Sequence, residues 1–550
     1  MVNTKQNFPE DQETRHKRYQ DAQQYAETWR QQLSEAYKYT FPLRNDFYSA
    51  TEGESRFNDI FDGTAGVAVN EFVNNVQSLL MPPFKRWAEL QLSEESSDTE
   101  KLDDDEKQSV NENLQSQTAR IFQYINDSNL SNALNESCQD MAISTGVLLI
   151  NEGDERLGEC PLQFVSVPLS YIAVEEGANG SIDSFWQERN IPIRLITRQW
   201  PAAKLTKELE RRLEADGGQK IQLIEGVIYY PNVSGDKKYF HYLQEYESKS
   251  DLFYEWRDYN PYIAFRYSKS PRETYGSGPI LQVLPFIKVL NKIAEYELES
   301  AKFHVAPIIM AMSTVSLNPS TLRIEPGAVL GMDASMPIKD QIATLDVGGN
   351  PQFIQLTIEQ LREIIQKTLF AAPMGDVADT PNRSATEMSL RYQEFSRKNT
   401  VAIGRLTQEM VIPIFERCIR ILYKKGLIED IRVKGKVYSL QLDNSRAVQI
   451  KYKSPLLALQ DRDDLNNTQQ MWQMLVGVFT DQAPLVVEVS DFPRYIAEKL
   501  GADLSLLKPK SEVEALFKQV AKNALQQQQA AQSATPPYPQ EPLPAPEGAI

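Results

Sequence analysis

The stretch at residues 279–426 most constrains how this chain folds, because long helical patterns dominate it. Gly278 precedes Pro279, a residue favoured at the first helical position, and apolar residues then recur at helical spacing as far as His304. Pro285 lies early enough to bend the first turns without abolishing the helix. Such a helix either lies in a soluble core with its charged face in solvent, or packs laterally in an assembly with that face toward an aqueous channel.

After this helix, residues 307–353 change to short apolar runs separated by turns. Runs at 308–312 and 328–332 are bounded by Asn-Pro, Pro-Gly and Gly-Gly dipeptides, which mark turns. The pattern predicts a small β-containing excursion between two helices.

Two capping boxes predict where the next helices begin. Thr357 and Ser384 are each followed by Gln or Glu three residues later, the spacing that satisfies the first amides of a helix. From the second box, apolar residues continue at helical spacing to Gly426, a natural stop. That helix would be roughly 60 Å long, at about 1.5 Å per residue, with a kink near Pro413. A Pro- and Gly-containing loop, 371–383, joins the two helices.

The remaining pattern mixes helices and strands. The other predicted helices cover 11–39, 64–80, 111–125, 130–146, 197–215, 461–478, 491–500 and 512–525. The predicted strands cover 162–167, 171–174, 184–189, 221–230, 240–246, 431–440 and 447–452. Because the strands cluster instead of alternating with helices, the sequence predicts an α+β fold and not a doubly wound sheet.

Four stretches, in a fixed order along the chain, carry a family resemblance. They are Asp62-Gly-Thr-Ala-Gly-Val-Ala with a helix ending Leu79-Leu-Met-Pro-Pro-Phe-Lys-Arg-Trp87, Thr145-Gly-Val-Leu-Leu-Ile150, Tyr275-Gly-Ser-Gly-Pro279, and Arg383-Ser-Ala-Thr-Glu-Met388. Each motif is short, and the order and spacing carry the likeness. Over about residues 15–510 the chain resembles the portal proteins, or head-to-tail connectors, of short-tailed double-stranded DNA phages.

The resemblance implies a portal fold whose subunits form a ring, expected to be a dodecamer. In the family's terms the divisions are the N-terminal arm and α+β wing (1–277), first stem helix (278–305), β-containing clip (306–356), second stem helix (357–370), tunnel loop (371–383), long wing helix with returning strands (384–455), helical crown (456–525) and a disordered Gln/Ala/Pro-rich tail (526–550). About a dozen helices, each about 10 Å wide, would surround a hole of roughly 28 Å, which admits a DNA duplex.

The implied function is a structural channel at one capsid vertex, through which double-stranded DNA is packaged and ejected. The implied partners are the terminase, the tail adaptor, the scaffold and the major capsid protein, with the protein in the virion and in the host cytoplasm during assembly. The alternative is another soluble virion assembly or adaptor protein without a DNA channel.

The expected site has two parts. The tunnel loop would meet DNA at the narrowest point through Pro373, Gly375, Asp376, Asp379 and Arg383. Arg383 is either a phosphate contact or an ion-pair partner at the start of its helix. The stem charges face either the lumen or neighbouring subunits, and they are Lys288, Lys292, Glu295 and Glu299.

Composition and motifs argue against catalysis. The chain has no GxxxxGK[ST] loop and only three histidines, so we expect no P-loop ATPase, no His-dependent hydrolase, no cofactor and no metal site. Its net charge of −17 suits a wall along which DNA slides, although acidity also simply keeps a protein soluble. The three cysteines lack zinc spacing and resemble buried thiols, and no apolar run approaches the length of a membrane span.

Overall fold

The structure is a computed structural model of the 550-residue chain. It describes residues 9–44, 47, 56–93, 104–153, 158–233, 237–306, 309–312, 325, 327–332, 342–344, 351–370, 399–433, 436–440, 448–453, 464–465, 467–475, 477 and 495–496. The helices are α1 (Gln12–Thr40), α2 (Thr64–Leu80), α3 (Asp104–Asp127), α4 (Leu130–Ile143), α5 (Ile193–Gln199), α6 (Lys207–Ala215), α7 (Pro279–Val305), α8 (Pro351–Thr368), α9 (399–406) and α10 (Ile412–Lys424).

The strands form small sheets of three or five strands and two-stranded ribbons. They are β1 (Ala88–Leu92), β2 (Thr145–Glu152), β3 (Leu162–Ser166), β4 (Ile172–Glu176), β5 (Ile182–Pro192), β6 (Lys220–Tyr229), β7 (Tyr239–Glu245), β8 (Asp251–Arg257), β9 (Tyr262–Arg266), β10 (Ile309–Met312), β11 (Val329–Met332), β12 (Ile342–Thr344), β13 (Ile431–Val433), β14 (Lys436–Tyr438) and β15 (Val448–Tyr452). The predicted mixture of helix and sheet is confirmed.

The chain folds into two compact units. The first comprises residues 1–87 and 120–428, and the second comprises residues 88–119 and 429–550. In the second unit β1 pairs antiparallel with β15, and β13 pairs with β14 in a hairpin. The Oγ1 of Thr118 accepts a hydrogen bond from the amide of Leu90 at 3.2 Å, which ties β1 to α3 within that unit.

A five-stranded antiparallel sheet, in the order β4-β5-β6-β7-β8, is covered on both faces in the first unit. Because side chains alternate along a strand, β6 sends Ile224 and Ile228 to one face and Ile221 and Leu223 to the other. The first face packs with Tyr19 of α1, and the second packs with α5 and α6. Both faces are therefore core.

A smaller sheet, in the order β3-β2-β9, lies against α4. β2 is buried along most of its length, and its Gly146 is required by a close approach, since a Cβ there would lie 2.5 Å from the carbonyl of Ser137. The sequence prediction placed the beginning of this strand in the helix 130–146. That boundary is wrong because the helix ends at Ile143, where Ser144 donates its amide to Asp140.

The structure confirms some of the other predicted elements and contradicts two of them. The helix over 64–80, the five wing strands and the β-containing excursion are confirmed, the last as a sheet in the order β11-β10-β12. The single helix over 197–215 is wrong, since α5 ends at Gln199 and Pro201 follows. The start at Thr357 is also wrong, because α8 begins at Pro351. Within the described ranges, no helix has both the length and the apolar character to cross a membrane.

Candidate functional site

Helix α7 has three distinct faces. At 3.6 residues per turn, Ile280, Leu284, Ile287, Asn291 and Ala294 share one face, and all of them are buried. This face packs toward α8, α1 and α4 within the first unit. No residue of α7 after Ala294 is buried, so the last three turns are more exposed than the rest of the helix.

The predicted stem charges fall on a second face of α7. Lys288, Lys292, Glu295 and Glu299 follow one another at spacings of four, three and four, which keeps them in one stripe. We call this set the charged stripe. Its members are exposed except Glu295, which is partly exposed.

Both lysines of the charged stripe are already paired inside the protomer. Lys288 Nζ lies 2.9 Å from Glu35 Oε2 of α1, and Lys292 Nζ lies 2.7 Å from Glu295 Oε2. The hydrogen bond to Glu295 raises the pKa of Lys292, and its ammonium also lies 4.8 Å from the ring centre of Tyr296. The stripe thus carries two positive and two negative charges, with the positive charges engaged locally.

The third face of α7 is apolar and faces solvent. Phe286, Val289, Ile293 and Tyr296 recur at spacings of three, four and three, between the charged stripe and the buried face. We call this set the apolar stripe. Val289 is 50% exposed and Tyr296 is 57% exposed, whereas the buried face is below 10%. An apolar row this long on one helix is unusual for a face that stays in water.

Asn291 joins α7 to the segment before α2. Its Oδ1 accepts hydrogen bonds from the amides of Phe61 at 2.8 Å and Asp62 at 3.3 Å, and its Nδ2 donates to the carbonyl of Asp59 at 2.9 Å. Because Asn291 is buried, its side-chain amide would destabilise the apolar face if it lacked hydrogen-bond partners, and these three bonds supply them. In the sequence alone, Asn291 is visible only as a polar residue that interrupts the apolar pattern of this helix.

Asp62 then connects this segment to α8. Its Oδ1 accepts from the amide of Thr64, the first residue of α2, at 2.9 Å, and its Oδ2 accepts from Arg362 Nε and Nη2 at 3.0 and 2.8 Å. Burial opposes ionisation of Asp62, but the hydrogen bonds from Thr64 and Arg362 outweigh it and lower the pKa. One short segment therefore fixes the starts or flanks of α2, α7 and α8.

The start of α7 is fixed by close packing at Gly278. The amide of Gly278 donates to the carbonyl of Ile143 at 2.9 Å, and a Cβ at this position would lie 2.0 Å from the carbonyl oxygen of Ala142. The preceding Gly276 is similarly crowded by Ser144 and Arg266. Both glycines of the Gly-Ser-Gly-Pro sequence are therefore steric requirements of the junction between α4 and α7.

The helix that follows the tunnel-loop region is not regular. Between α9 and α10, residues Thr407–Val411 form a π-turn, immediately before Pro413. The kink that the sequence predicts near Pro413 thus coincides with a local change of helical geometry. Gly426 has a φ of 69° and ends α10, as predicted.

The tunnel-loop residues lie outside the part of the chain that the structure describes. This applies to Pro373, Gly375, Asp376, Asp379 and Arg383, and also to the tail 526–550. The predicted roles of these residues stay predictions.

Several other reactive side chains are enclosed in the core, but Cys160 is partly exposed, so the expectation of buried thiols is wrong for that cysteine. His241 Nε2 lies 2.9 Å from Glu225 Oε1, and Arg189 Nε lies 2.6 Å from Glu225 Oε2. Burial raises the pKa of the Cys138 thiol to about 12, and Cys418 is also buried. Among the described residues, no three His, Cys, Asp or Glu side chains group as metal ligands.

Comparison with known proteins decides the family. Residues 12–507 match the family described as bacteriophage head to tail connecting protein. The chain belongs to this family. A solved structure, the neck of an empty GTA particle computed with C6 symmetry, is similar with a TM-score of 0.32 and 12% identity, over 78% of this chain and 90% of that chain. No curated protein matches the chain.

The family confirms the resemblance drawn from the four sequence stretches, and a connector has a structural role between a phage head and its tail. In this connector two of those stretches have a visible structural purpose. Asp62 begins the first and links three helices, and Gly278 in the third lets α7 begin against α4. The bond from Thr64 to Asp62 is local in sequence, whereas the pairing of Asp62 with Arg362 joins residues 300 apart.

Proposed function

We propose that this connector is a portal: a closed ring, a dodecamer, at one vertex of the capsid. Double-stranded DNA passes through its central channel during packaging and ejection. The ring also serves as the docking platform for terminase and tail proteins, and contacts scaffold and major capsid proteins during assembly in the host cytoplasm. The protein acts as a structural part, without catalysis and without a cofactor.

The apolar stripe of α7 is the observation that carries this proposal. A helix with one face inside the protomer and a second apolar face in solvent is suited to pack against a neighbour on that second side. Phe286 and Tyr296 offer large contact areas at the two ends of the stripe. Repeating one such contact around an axis closes a ring.

The charged stripe supports a channel wall that holds DNA weakly. Affinity for a duplex comes mainly from free Lys and Arg that neutralise phosphates. Lys288 and Lys292 already have carboxylate partners, so the stripe offers little net attraction. A wall of this kind suits DNA that must slide.

Negative-stain electron microscopy of the full chain, with native mass, tests the ring. We expect rings of about a dozen subunits with a central hole wide enough for a duplex. A defined smaller oligomer without a hole would overturn the proposal in favour of an adaptor without a channel.

Charge substitution on the apolar stripe tests which surface closes the ring. Val289→Asp places a carboxylate in the proposed contact, and we expect the affinity between subunits to fall by about tenfold or more. Val67→Asp, at an exposed valine of α2, is the matched control and should leave rings intact. Thermal unfolding of both variants should be nearly unchanged, because both valines are at least half exposed. Normal rings from Val289→Asp would refute the interface.

Shortening the loop 371–383 tests the proposed DNA contact. Ring assembly should persist, since α7 and α8 remain, while heads filled with DNA should lose their genome more readily. Normal DNA retention with the shortened loop would remove that role from Asp376, Asp379 and Arg383.

A further inference from the structure

A groove of about 400 Å³ opens beside the end of α2, at the turn between α3 and α4. Its floor is formed by buried apolar side chains of Met81, Trp87, Ile125, Leu130 and Leu134. We call this cavity the Trp87 groove. Its volume falls within the range of about 300–1,000 Å³ that is typical of ligand sites.

The floor of the Trp87 groove is rigid. Trp87 is 3% exposed, and its ring meets those of Phe122 and Phe415 edge-on at centroid distances of 5.2 and 5.6 Å. Aromatic rings packed in this geometry fix one another. The groove is therefore preformed, which lowers the entropic cost of filling it.

Phe84 forms one side of the groove in a strained conformation. Its φ is 60°, a left-handed value that residues other than glycine and asparagine rarely adopt, and its side chain is 83% exposed. The turn is held by Pro82, whose carbonyl accepts a hydrogen bond from the amide of Lys85 at 3.4 Å. An aromatic ring held in water at such a cost adds little to the fold, and strain of this kind accompanies functional sites.

Polar side chains line the groove, and two basic residues lie on the turn beside it. Asn126 and Asn132 are exposed lining residues, and their amides can both donate and accept hydrogen bonds. Lys85 and Arg86 are exposed between the lining residues Phe84 and Trp87, and neither makes an ion pair in the part of the chain that the structure describes. The lining residues of the groove include no charged side chain, so Lys85 and Arg86 are the charges on the turn that carries Phe84.

We propose that the Trp87 groove binds an extended, acidic segment of a partner protein. A bulky apolar side chain of the segment fills the floor beside Phe84. The amides of Asn126 and Asn132 bind its main chain, and its carboxylates pair with Lys85 and Arg86. The exposed Lys85 and Arg86 beside Phe84, in a chain of net charge −17, favour an acidic segment over a basic one. This proposal does not depend on the ring or on its central channel.

A random linear-peptide library displayed on phage, selected on the immobilised full chain, tests the proposal. Counter-selection on the triple variant Phe84→Gly, Lys85→Glu, Arg86→Glu removes peptides that bind elsewhere. We expect the surviving peptides to combine Asp or Glu with a bulky apolar residue. Fluorescence anisotropy should show their affinity falling as salt is raised, since exposed charge pairs are screened.

Two variants divide the contributions to peptide affinity. Lys85→Glu with Arg86→Glu should weaken binding by about tenfold or more, and Phe84→Gly by about tenfold. Lys207→Glu with Arg211→Glu, at exposed positions of α6, makes the same change in charge and should leave affinity unchanged. Survival of no peptide after counter-selection, or of mainly basic peptides, would overturn the proposal.

A second copy of the chain is the competing occupant. Sedimentation velocity distinguishes a partner protein from a second copy of the chain. If a partner protein fills the groove, the groove variants should assemble as the unchanged chain does. A shift of Phe84→Gly toward smaller species would assign the groove to subunit contacts and overturn the partner assignment.

Discussion

Arg266 and Glu409 lock strand β9 to the π-turn between α9 and α10. Glu409 accepts from the Arg266 amide at 3.0 Å, from its Nε at 3.3 Å and from its Nη2 at 2.8 Å. The remaining guanidinium donors reach the carbonyls of Thr274 and Gly180. Arg266 is 1% exposed, so its charge depends on these partners.

Removal of the carboxylate should therefore be costly. We expect Glu409→Ala to lower the free energy of unfolding by about 3 kcal/mol or more, because it leaves a buried guanidinium without its anion. Urea unfolding followed by circular dichroism measures the change. Glu416→Ala on α10 is the control, since Glu416 is partly exposed and makes no ion pair within the described residues. Equal effects of the two substitutions would show that the Arg266 contact does not stabilise the fold.

The junction before α7 gives a steric prediction. Gly278→Ala would place a Cβ against the carbonyl of Ala142, and we expect a loss of about 3 kcal/mol in the free energy of unfolding. Gly404→Ala is the matched control, because a Cβ there meets no atom within 4 Å and α9 should gain about 0.5–1 kcal/mol. Differential scanning calorimetry should show a lower melting temperature for Gly278→Ala and a higher one for Gly404→Ala. A neutral Gly278→Ala would mean that the junction can open.

Glu225 predicts a dependence of stability on pH. Burial opposes its ionisation, but Arg189 and then His241 outweigh burial and lower its pKa to about 2. A carboxyl whose pKa is lower in the folded state stabilises the fold above its unfolded pKa, and this contribution disappears as pH falls from the ordinary glutamate pKa of 4.5 toward about 2. Glu225→Gln should be less stable at neutral pH, and its stability should fall less across that interval. Urea unfolding at several pH values gives the difference curve, and parallel curves would contradict the assignment.

The left-handed backbone at Phe84 predicts a difference in stability between a glycine and an alanine variant at this position. Glycine adopts a φ of 60° without strain, so we expect Phe84→Gly to be about 1 kcal/mol more stable than Phe84→Ala, which keeps the strain. Thermal unfolding compares the two variants, and neither loses much packing because Phe84 is mostly exposed. If the alanine variant were the more stable, the left-handed turn would not be a source of strain.

The sequence predicted elements wherever the hydrophobic period was clean. α2 was located to the residue because Val69, Phe72, Val73 and Val76 mark one face and Pro82 follows. β2 was missed because it is buried along most of its length, so its residues do not alternate and its beginning merges with the predicted helix before it. The start of α8 was missed because Thr357 and Gln360 form a capping box inside a helix that Pro351 already begins.

The candidate site was predictable as a helix face but not as a set of contacts. Helical spacing alone places Lys288, Lys292, Glu295 and Glu299 in one stripe. The partner of Lys288 is Glu35, 253 residues earlier, and no local pattern indicates that pairing. Asn291 shows the same limit, since a single polar residue on an apolar face does not reveal that it binds the segment before α2.

The π-turn changes the rotational phase of the helix that contains it. One extra residue in a turn advances every side chain on its far side by about 100° around the axis. Deleting a single residue from Thr407–Val411 would leave a continuous helix. α10 would keep its position because Phe415 and Cys418 are buried, but α9 would turn a different face to its surroundings. The π-turn therefore sets the rotation of α9 relative to α10 about the helix axis. The contact between Glu409 and Arg266 holds the π-turn against β9.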